Sequence, residues 1–322
     1  MKVLSIKSAL SHALVAFGLC APIPVIATDF PKRPVSIVVG FGPGGTTDII
    51  ARMLAEDIAK SLGESVVVEN RPGADSGVAA GYVSRSKPDG HTLFLATSSI
   101  VINYGVYKNP QYNPKVDFSA IGKIGYIPNV LIVNPGVRPD GIKALADQSK
   151  SANYFYGSTG TNTWLAMEKL KQITGLKADR VPLKGGAEAM NLILSGEIQL
   201  VSTAVTTAAP HIAAGKVKAI MVSDSKRNDL VPGVPTAEEA GVRGFVDGSW
   251  FGLLAPAGTP PDVIQKIYAA VTQAVQNPKN QKRFKDIGLT VQEEGPEKFQ
   301  ATVILESDLW KKEANSLGVS AD

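Results

Sequence analysis

Val35-Ser-Ile-Val-Val-Gly-Phe-Gly-Pro-Gly-Gly-Thr-Thr-Asp-Ile-Ile-Ala-Arg52 joins a strand to a helix through a glycine-rich turn. Val35, Ile37, Val38 and Val39 form a short apolar, β-branched run suited to a strand buried on both faces. Gly40, Gly42, Gly44 and Gly45 follow, with Phe41 and Pro43 among them; the glycines permit positive φ or the close approach of another group. Thr46, Thr47 and Asp48 offer capping chemistry, and Ile49, Ile50, Met53, Leu54 and Ile58 mark an apolar helical stripe. Strand, turn and helix N-terminus together make an anion site. Unpaired N–H groups face outward and the positive end of the helix dipole lies behind them.

The turn alone leaves the anion open. Gly40, Gly42 and Gly45 satisfy G-x-G-x-x-G, and Glu69 closes the next apolar run, Val66 to Val68. That is a dinucleotide pattern, with the acid somewhat beyond the usual offset of about 20 residues. Gly40 and Gly45 also match the glycines of a P-loop, but Thr46 stands where the lysine belongs, which argues against a nucleoside triphosphate. A glycine-rich turn with no ligand fits the same residues.

The N-terminus reads as a secretory signal peptide over 1–27. Lys2 and Lys7 precede an apolar segment, Ala9 to Leu19, and Val25-Ile-Ala27 fits the small-residue cleavage pattern. Leu19 before Cys20 rules against a lipoprotein, and cleavage removes Cys20, the only cysteine. No apolar run reaches the length of about 20 residues that a membrane span needs, so an exported, soluble, periplasmic product is expected. Without Lys2 and Lys7, 31 basic residues face 29 acidic ones, a net charge of +2. The charges are mixed with no basic block, which argues against nucleic acid or an anionic membrane as partner. The remaining 295 of 322 residues suggest two domains.

Strand and helix signals then alternate. Val66–Val68, His91–Ala96, Ile127–Val133, Tyr154–Tyr156, Val181–Leu183, Ile198–Val201, Val217–Val222 and Trp250–Leu254 read as extended. Helical patterns cover Gly77–Arg85, entered through Asp75 or Ser76, then Ile142–Ser149, Ala187–Leu194, Ala208–Ala214, Pro261–Gln276, Pro278–Ile287 and Pro296–Ser316. A further helix carries Leu165, Met167, Leu170 and Ile173. This is an α/β chain of the doubly wound kind with a sheet in each of two halves. Several strand ends offer glycine and small hydroxyls: Thr97-Ser98-Ser99, Gly157-Ser158-Thr159-Gly160-Thr161, Lys184-Gly185-Gly186-Ala187 and Ser202-Thr203. Ligands of open α/β sheets bind at the carboxyl ends of strands, and two facing sheets would line a cleft with N–H and OH donors suited to a small carboxylate. Each loop taken singly is also an ordinary cap.

Catalytic equipment is thin, and no enzyme is expected. His91 and His211 follow the signal segment and neither sits in a metal-binding spacing; no G-x-S-x-G elbow or cysteine nucleophile is present. Glu56 with Asp57, and Glu293 with Glu294, read as solvated surface charge. No metal and no cofactor is expected. An exported dinucleotide-dependent oxidoreductase is the competing reading, and a ligand-sensing subunit of a signalling system is a third.

Phe30 to Val39 with Pro43-Gly-Gly-Thr-Thr-Asp48, then Asn70-Arg-Pro-Gly73 and Lys87-Pro-Asp-Gly-His-Thr-Leu93, resemble the Bug (TctC-like) family, the extracytoplasmic substrate-binding proteins of tripartite tricarboxylate transporters. So do Asp117-Phe118, Val181 to Ala187, Val234-Pro-Thr-Ala-Glu-Glu-Ala-Gly241 and Trp250 to Pro260, in order over nearly the whole mature chain. The resemblance implies a two-domain, type II periplasmic-binding-protein (Venus flytrap) fold, each domain a mixed sheet flanked by helices. It implies residues 28–126 and 248–322 in one domain and 127–247 in the other, with crossings near Ile127 and Asp247. It also implies a carboxylate (a di- or tricarboxylate, an aromatic acid or an amino acid) held between the loop at Pro43–Thr47 and that at Ser158–Thr161. The partners implied are membrane transporter subunits, with the chain itself a monomer. The expected ligand-binding residues are Phe41, Pro43, Gly44, Gly45, Thr46, Thr47, Asp48, Thr97, Ser98, Ser158, Thr159, Gly160, Thr161, Trp164, Lys184, Gly186, Ala187 and Thr203. Trp164 replaces the family's usual histidine before Leu165-Ala-Met-Glu168, in a loop that looks shorter than usual. Its indole either lines the cleft as a stacking face for a more apolar ligand or packs between helix and sheet.

Overall fold

The computed structural model describes residues 29–183 and 185–321; the expected signal peptide and Lys184 lie outside the described residues. The opening stretch forms β1 (Val35–Val39) and α1 (Thr46–Leu62), followed by β2 (Val66–Asn70), a 3-10 turn at Ala74–Ser76 and α2 (Gly77–Ser84). Then come β3 (Thr92–Thr97), α3 (Ser99–Val106) and the long β4 (Phe118–Val133). The middle of the chain runs α4 (Gly141–Gln148), β5 (Phe155–Ser158), α5 (Thr161–Thr174), β6 (Asp179–Pro182), α6 (Gly186–Ser195), β7 (Leu200–Ala204), α7 (Val205–Ala213) and β8 (Lys218–Val222). It closes with β9 (Gly248–Pro256), α8 (Pro261–Gln276), α9 (Pro278–Asp286), β10 (Thr290–Glu294) and α10 (Pro296–Leu317). Among the described residues no helix is long and apolar enough to cross a membrane.

Both sheets are mixed, and β4 belongs to both. In the first sheet β1 pairs in parallel with β2 and β3, while β9 is antiparallel to β3 and to β4. In the second, β5 is parallel to β6 and β7, and β4 is antiparallel to β7 and β8. The exchange is abrupt: Pro128 still pairs with Gly248 of β9, whereas Asn129 already faces Ala204 of β7.

Alternation along the strands feeds a packed layer on each face, as the period of two requires. Val35, Ile37 and Val39 point to α1 and α8, and Val38 points to α2, α3 and α10. In the second half of β4, Leu131 and Val133 meet α4 and α5, while Val130 and Ile132 join the side carrying α6 and α7.

Three elements depart from the sequence reading. β4 begins at Phe118 rather than Ile127, α3 grows where Ser98-Ser99 read as loop, and β10 was not foreseen. β10 can lie against β4 because Gly125 has no side chain; a Cβ there would come within 2.6 Å of the Thr290 carbonyl and of Leu289. Glu294 is accordingly no free surface charge: it ion-pairs with Lys123 at 3.5 Å and accepts from the Thr302 hydroxyl at 2.8 Å.

The junction between the sheets is held by a buried polar cluster. Asp247 accepts from Asn129 Nδ2 at 2.8 Å and from the Ser202 hydroxyl at 3.0 Å. The Asn129 amide donates to the Asp247 carbonyl, and the Asp247 amide to that of Ser223. Burial pushes the Asp247 carboxyl up to about 6, against the hydrogen bonds from Asn129, Ser202 and the Gly248 amide. An acid whose folded-state pKa is raised holds its proton longer when folded, so its contribution is full below its ordinary value and is lost as pH rises through about 6. The unfolding free energy of the wild type relative to Asp247→Asn should therefore fall by about 3 kcal/mol between about pH 4 and pH 7, at roughly 1.4 kcal/mol per pKa unit. Urea denaturation at a series of pH values measures this. A difference that does not change with pH would show Asp247 ionised throughout.

Candidate functional site

The carboxyl ends of the parallel strands of both sheets open onto one cavity of about 610 Å³. Gly40, Phe41, Gly42 and Gly45 reach it from β1, Pro72, Gly73 and Asp75 from β2, and Thr97 and Ser99 from β3. Thr159 and Gly160 enter from β5, Leu183 and Gly185 from β6, and Thr203, Ala204 and Thr207 from β7 and the start of α7. Asn129, Ser249 and Phe251 of β4 and β9 complete it at the sheet junction.

Helices follow these strands at once, so N-termini converge. α1, α5, α6 and α7 all begin at the cavity, and none of the residues preceding them supplies a side-chain cap. The amides of Thr46 and Thr47 have no partner among the described residues, as the first turn of an α-helix leaves them. With the helix dipoles behind them, such amides favour an anion. Among the described lining residues the one formally charged group is Asp75.

The glycines of the opening loop divide by role. Gly44 has φ +77, in the left-handed region that favours glycine. At Gly40 a Cβ would lie 1.8 Å from the Ser76 hydroxyl, so the close approach inferred from the sequence is made by the protein itself. Gly42 has open space around its missing Cβ, and Gly45 meets nothing nearer than the Gly42 carbonyl at 3.4 Å. Those two glycines leave room on the cavity side.

Asp48 acts from behind the loop. Its buried carboxylate accepts from the Gly44 amide at 3.0 Å, from Arg52 Nε at 2.9 Å and from Asn70 Nδ2 at 2.9 Å, and Asn70 also donates to the Phe41 carbonyl. The Arg52 guanidinium, opposed in part by burial, holds the carboxyl down to about 2. Asn70, the last residue of β2, thus shapes the loop after β1, a role that sequence spacing did not reveal.

Of the residues expected at the site, the cavity gathers Phe41, Gly45, Thr46, Thr47, Thr97, Thr159, Gly160, Gly186 and Thr203. Pro43 and Gly44 are exposed and off the lining, as is Ala187. Ser98 is buried with its hydroxyl directed at the Gly248 carbonyl, and its neighbour Ser99 takes the lining position. Ser158, Thr161 and Trp164 line a second, smaller cavity of about 270 Å³ that meets the first at Asp75, Gly160 and Leu183. Trp164 is half-buried there, with the Arg180 guanidinium 3.6 Å above its ring and Arg180 Nε donating to the Ser158 hydroxyl. The indole lines neither the main cavity nor the fully buried core. Asp75, read from sequence as a helix entry, instead faces both cavities. No group of three or more metal-ligating side chains lies together among the described residues.

Residues 50–314 match the profile of the tripartite tricarboxylate transporter family receptor, TctC. Among solved structures, the periplasmic binding protein BugD superposes with a TM-score of 0.81 at 36% identity, over 91% of this chain and 100% of that one. A Rhodopseudomonas palustris protein, Rpa4515 with adipate, gives 0.83 at 31% identity over 91% and 99% of the two chains. MatC (Rpa3494) from the same organism, with bound malate, gives 0.80 at 31% over 88% and 99%. The fold is the two-domain periplasmic-binding-protein fold that the sequence led us to expect.

Removing the Asp48 carboxylate should release the loop. Asp48→Ala leaves the Gly44 amide and Asn70 unpaired, at about 2 kcal/mol of stability near neutral pH. Because the folded-state pKa is depressed, the contribution is present above about 3.8 and is lost as pH falls through about 2. Chemical denaturation at pH 7 and in that acid range should show the gap to the wild type narrowing. A constant gap would place the effect in packing rather than charge.

Proposed function

Since the chain belongs to the TctC family of tripartite tricarboxylate transporter receptors, whose members are periplasmic solute-binding proteins rather than enzymes, we propose that it captures a small organic carboxylate between its two domains and delivers it to membrane transporter subunits. Residues 28–126 with 248–322 form one domain in this reading and 127–247 the other. The observation that carries it is the convergence of helix N-termini, with no cationic side chain among the described lining residues, on a cavity ringed by hydroxyls. The adipate and malate held by two relatives support the ligand class.

The grip comes from charge-assisted hydrogen bonds to main-chain amides and to the hydroxyls of Thr46, Thr47 and Thr203. Each is worth roughly 1.5–3 kcal/mol, and a micromolar ligand requires about 8 kcal/mol net. Three or four such bonds reach that value in a site from which closure excludes water, where electrostatic attraction strengthens. Ligand therefore favours the closed arrangement, and the junction at Pro128–Asn129 and Asp247–Gly248 is where the domains turn. The G-x-G-x-x-G pattern is read here as an anion cradle rather than a dinucleotide site, because the chain belongs to a family of solute-binding proteins.

A thermal-shift screen of carboxylates against sugars and cations tests the ligand class. At free ligand about 100 times Kd, binding should add about 2.7 kcal/mol to stability, and small-angle scattering should give a smaller radius of gyration with ligand. Stabilisation by sugars or cations alone would overturn the reading. Gly45→Val, whose Cβ would meet nothing nearer than the Gly42 carbonyl at 3.4 Å, should weaken the ligand found by at least about tenfold, close to 1.4 kcal/mol, with an unchanged circular dichroism spectrum. Unaltered affinity would reduce the loop to a tight turn.

A further inference from the structure

The charge balance of the cavity is unusual for an anion site: its one described formal charge is the carboxylate of Asp75. Asp75 lies deep between the two sheets yet keeps part of its surface open to the cavities it lines. It has no ion-pair partner among the described residues. Its Oδ2 accepts from the Thr161 amide at 3.0 Å and from the Thr161 hydroxyl at 2.8 Å, and that hydroxyl also contacts Asn103 Oδ1. Oδ1 has only the Ser99 hydroxyl, at a long 3.4 Å. One side of the carboxylate is saturated and the other is nearly free.

The backbone that presents it is strained. Ala74, Asp75 and Ser76 have φ of 47, 47 and 77°, three successive non-glycine residues in the left-handed region. Asn103 Nδ2 pins the turn by donating to the Asp75 carbonyl at 2.8 Å. Strain of this kind persists where the surroundings fix it, and it points to a requirement for this side chain at this place. A bare carboxylate brought beside an ionised Asp75 in a closed cavity would meet like charge, with no cationic side chain among the described residues of the main cavity. A ligand bearing a hydrogen-bond donor next to its carboxylate would instead satisfy the open oxygen.

We propose that Asp75 determines ligand choice by accepting a hydrogen bond from a hydroxyl or ammonium group on the bound acid, so that hydroxy or amino acids are selected over their unsubstituted parents. This rests on the carboxylate reading above. The same loops hold the anion, and Asp75 reads the substituent beside it.

Matched sets test it by isothermal titration: succinate, malate and aspartate; propionate, lactate and alanine; 3-phenylpropionate, phenyllactate and phenylalanine. In wild type, within the set that binds, a donor-bearing acid should bind at least about tenfold more tightly than its parent, a difference of about 1.4 kcal/mol. Whether hydroxyl or ammonium is preferred identifies the donor. Asp75→Gly, which relieves the left-handed strain, and Asp75→Asn should both bring the ratio down to about threefold or less; Asp75→Asn serves should the glycine variant fail to fold. Equal binding of parent and substituted acid by the wild type would overturn the inference while leaving the carboxylate reading standing. A uniform change for all acids in both variants would also overturn it, reducing Asp75 to a structural tie to Thr161. Failure of every acid to bind the wild type would remove the carboxylate reading and this inference together.

Discussion

One strand shared by two sheets constrains everything else in this fold. Because β4 leaves the first sheet at Pro128 and enters the second at Asn129, the sheets meet end to end. The parallel strands of both halves then terminate at a common boundary, and the turns that follow them crowd into one space. The cavity follows from connectivity rather than from a surface depression. Its chemistry follows as well, since each turn passes into a helix N-terminus. Asn129, Ser202 and Asp247 hold the shared strand at the crossing.

Among the described residues, the positive ends of helix dipoles rather than cationic side chains face the site so formed. Its shape depends on residues that do not line it. Asp48 and Asn70 fix the loop after β1 through the Gly44 amide and the Phe41 carbonyl, and Ser76 fills the space beside Gly40. On the far side, Asp75 already occupies the first amide of α5. The two loops that face each other therefore differ: one keeps free donors, and the other is capped from within the protein.

Local chemistry was legible in the sequence, and long-range chemistry was not. The strand, glycine turn and helix N-terminus of the opening stretch were legible because every participant lies within Val35–Arg52. The hydroxyls of Thr97, Thr159 and Thr203 could be placed because strand ends are readable from periodicity. Asp75 could not, since its partners Thr161 and Ser99 are distant in sequence and its left-handed backbone has no glycine to announce it. β10 escaped notice because its pairing rests on the missing side chain of Gly125. Trp164 resisted because its surroundings are set by Arg180, a residue of another strand.

Main-chain recognition bears on how such a receptor diversifies. Of the twenty amino acids only proline lacks the amide hydrogen, so point mutation at Thr46, Thr47 or Gly186 leaves the donors of an amide cradle in place while recasting the walls around them. Inheritance of anion capture is thereby uncoupled from inheritance of ligand identity. On the carboxylate reading, a duplicated gene can drift among acids of different shape without first losing the hold on their common head group.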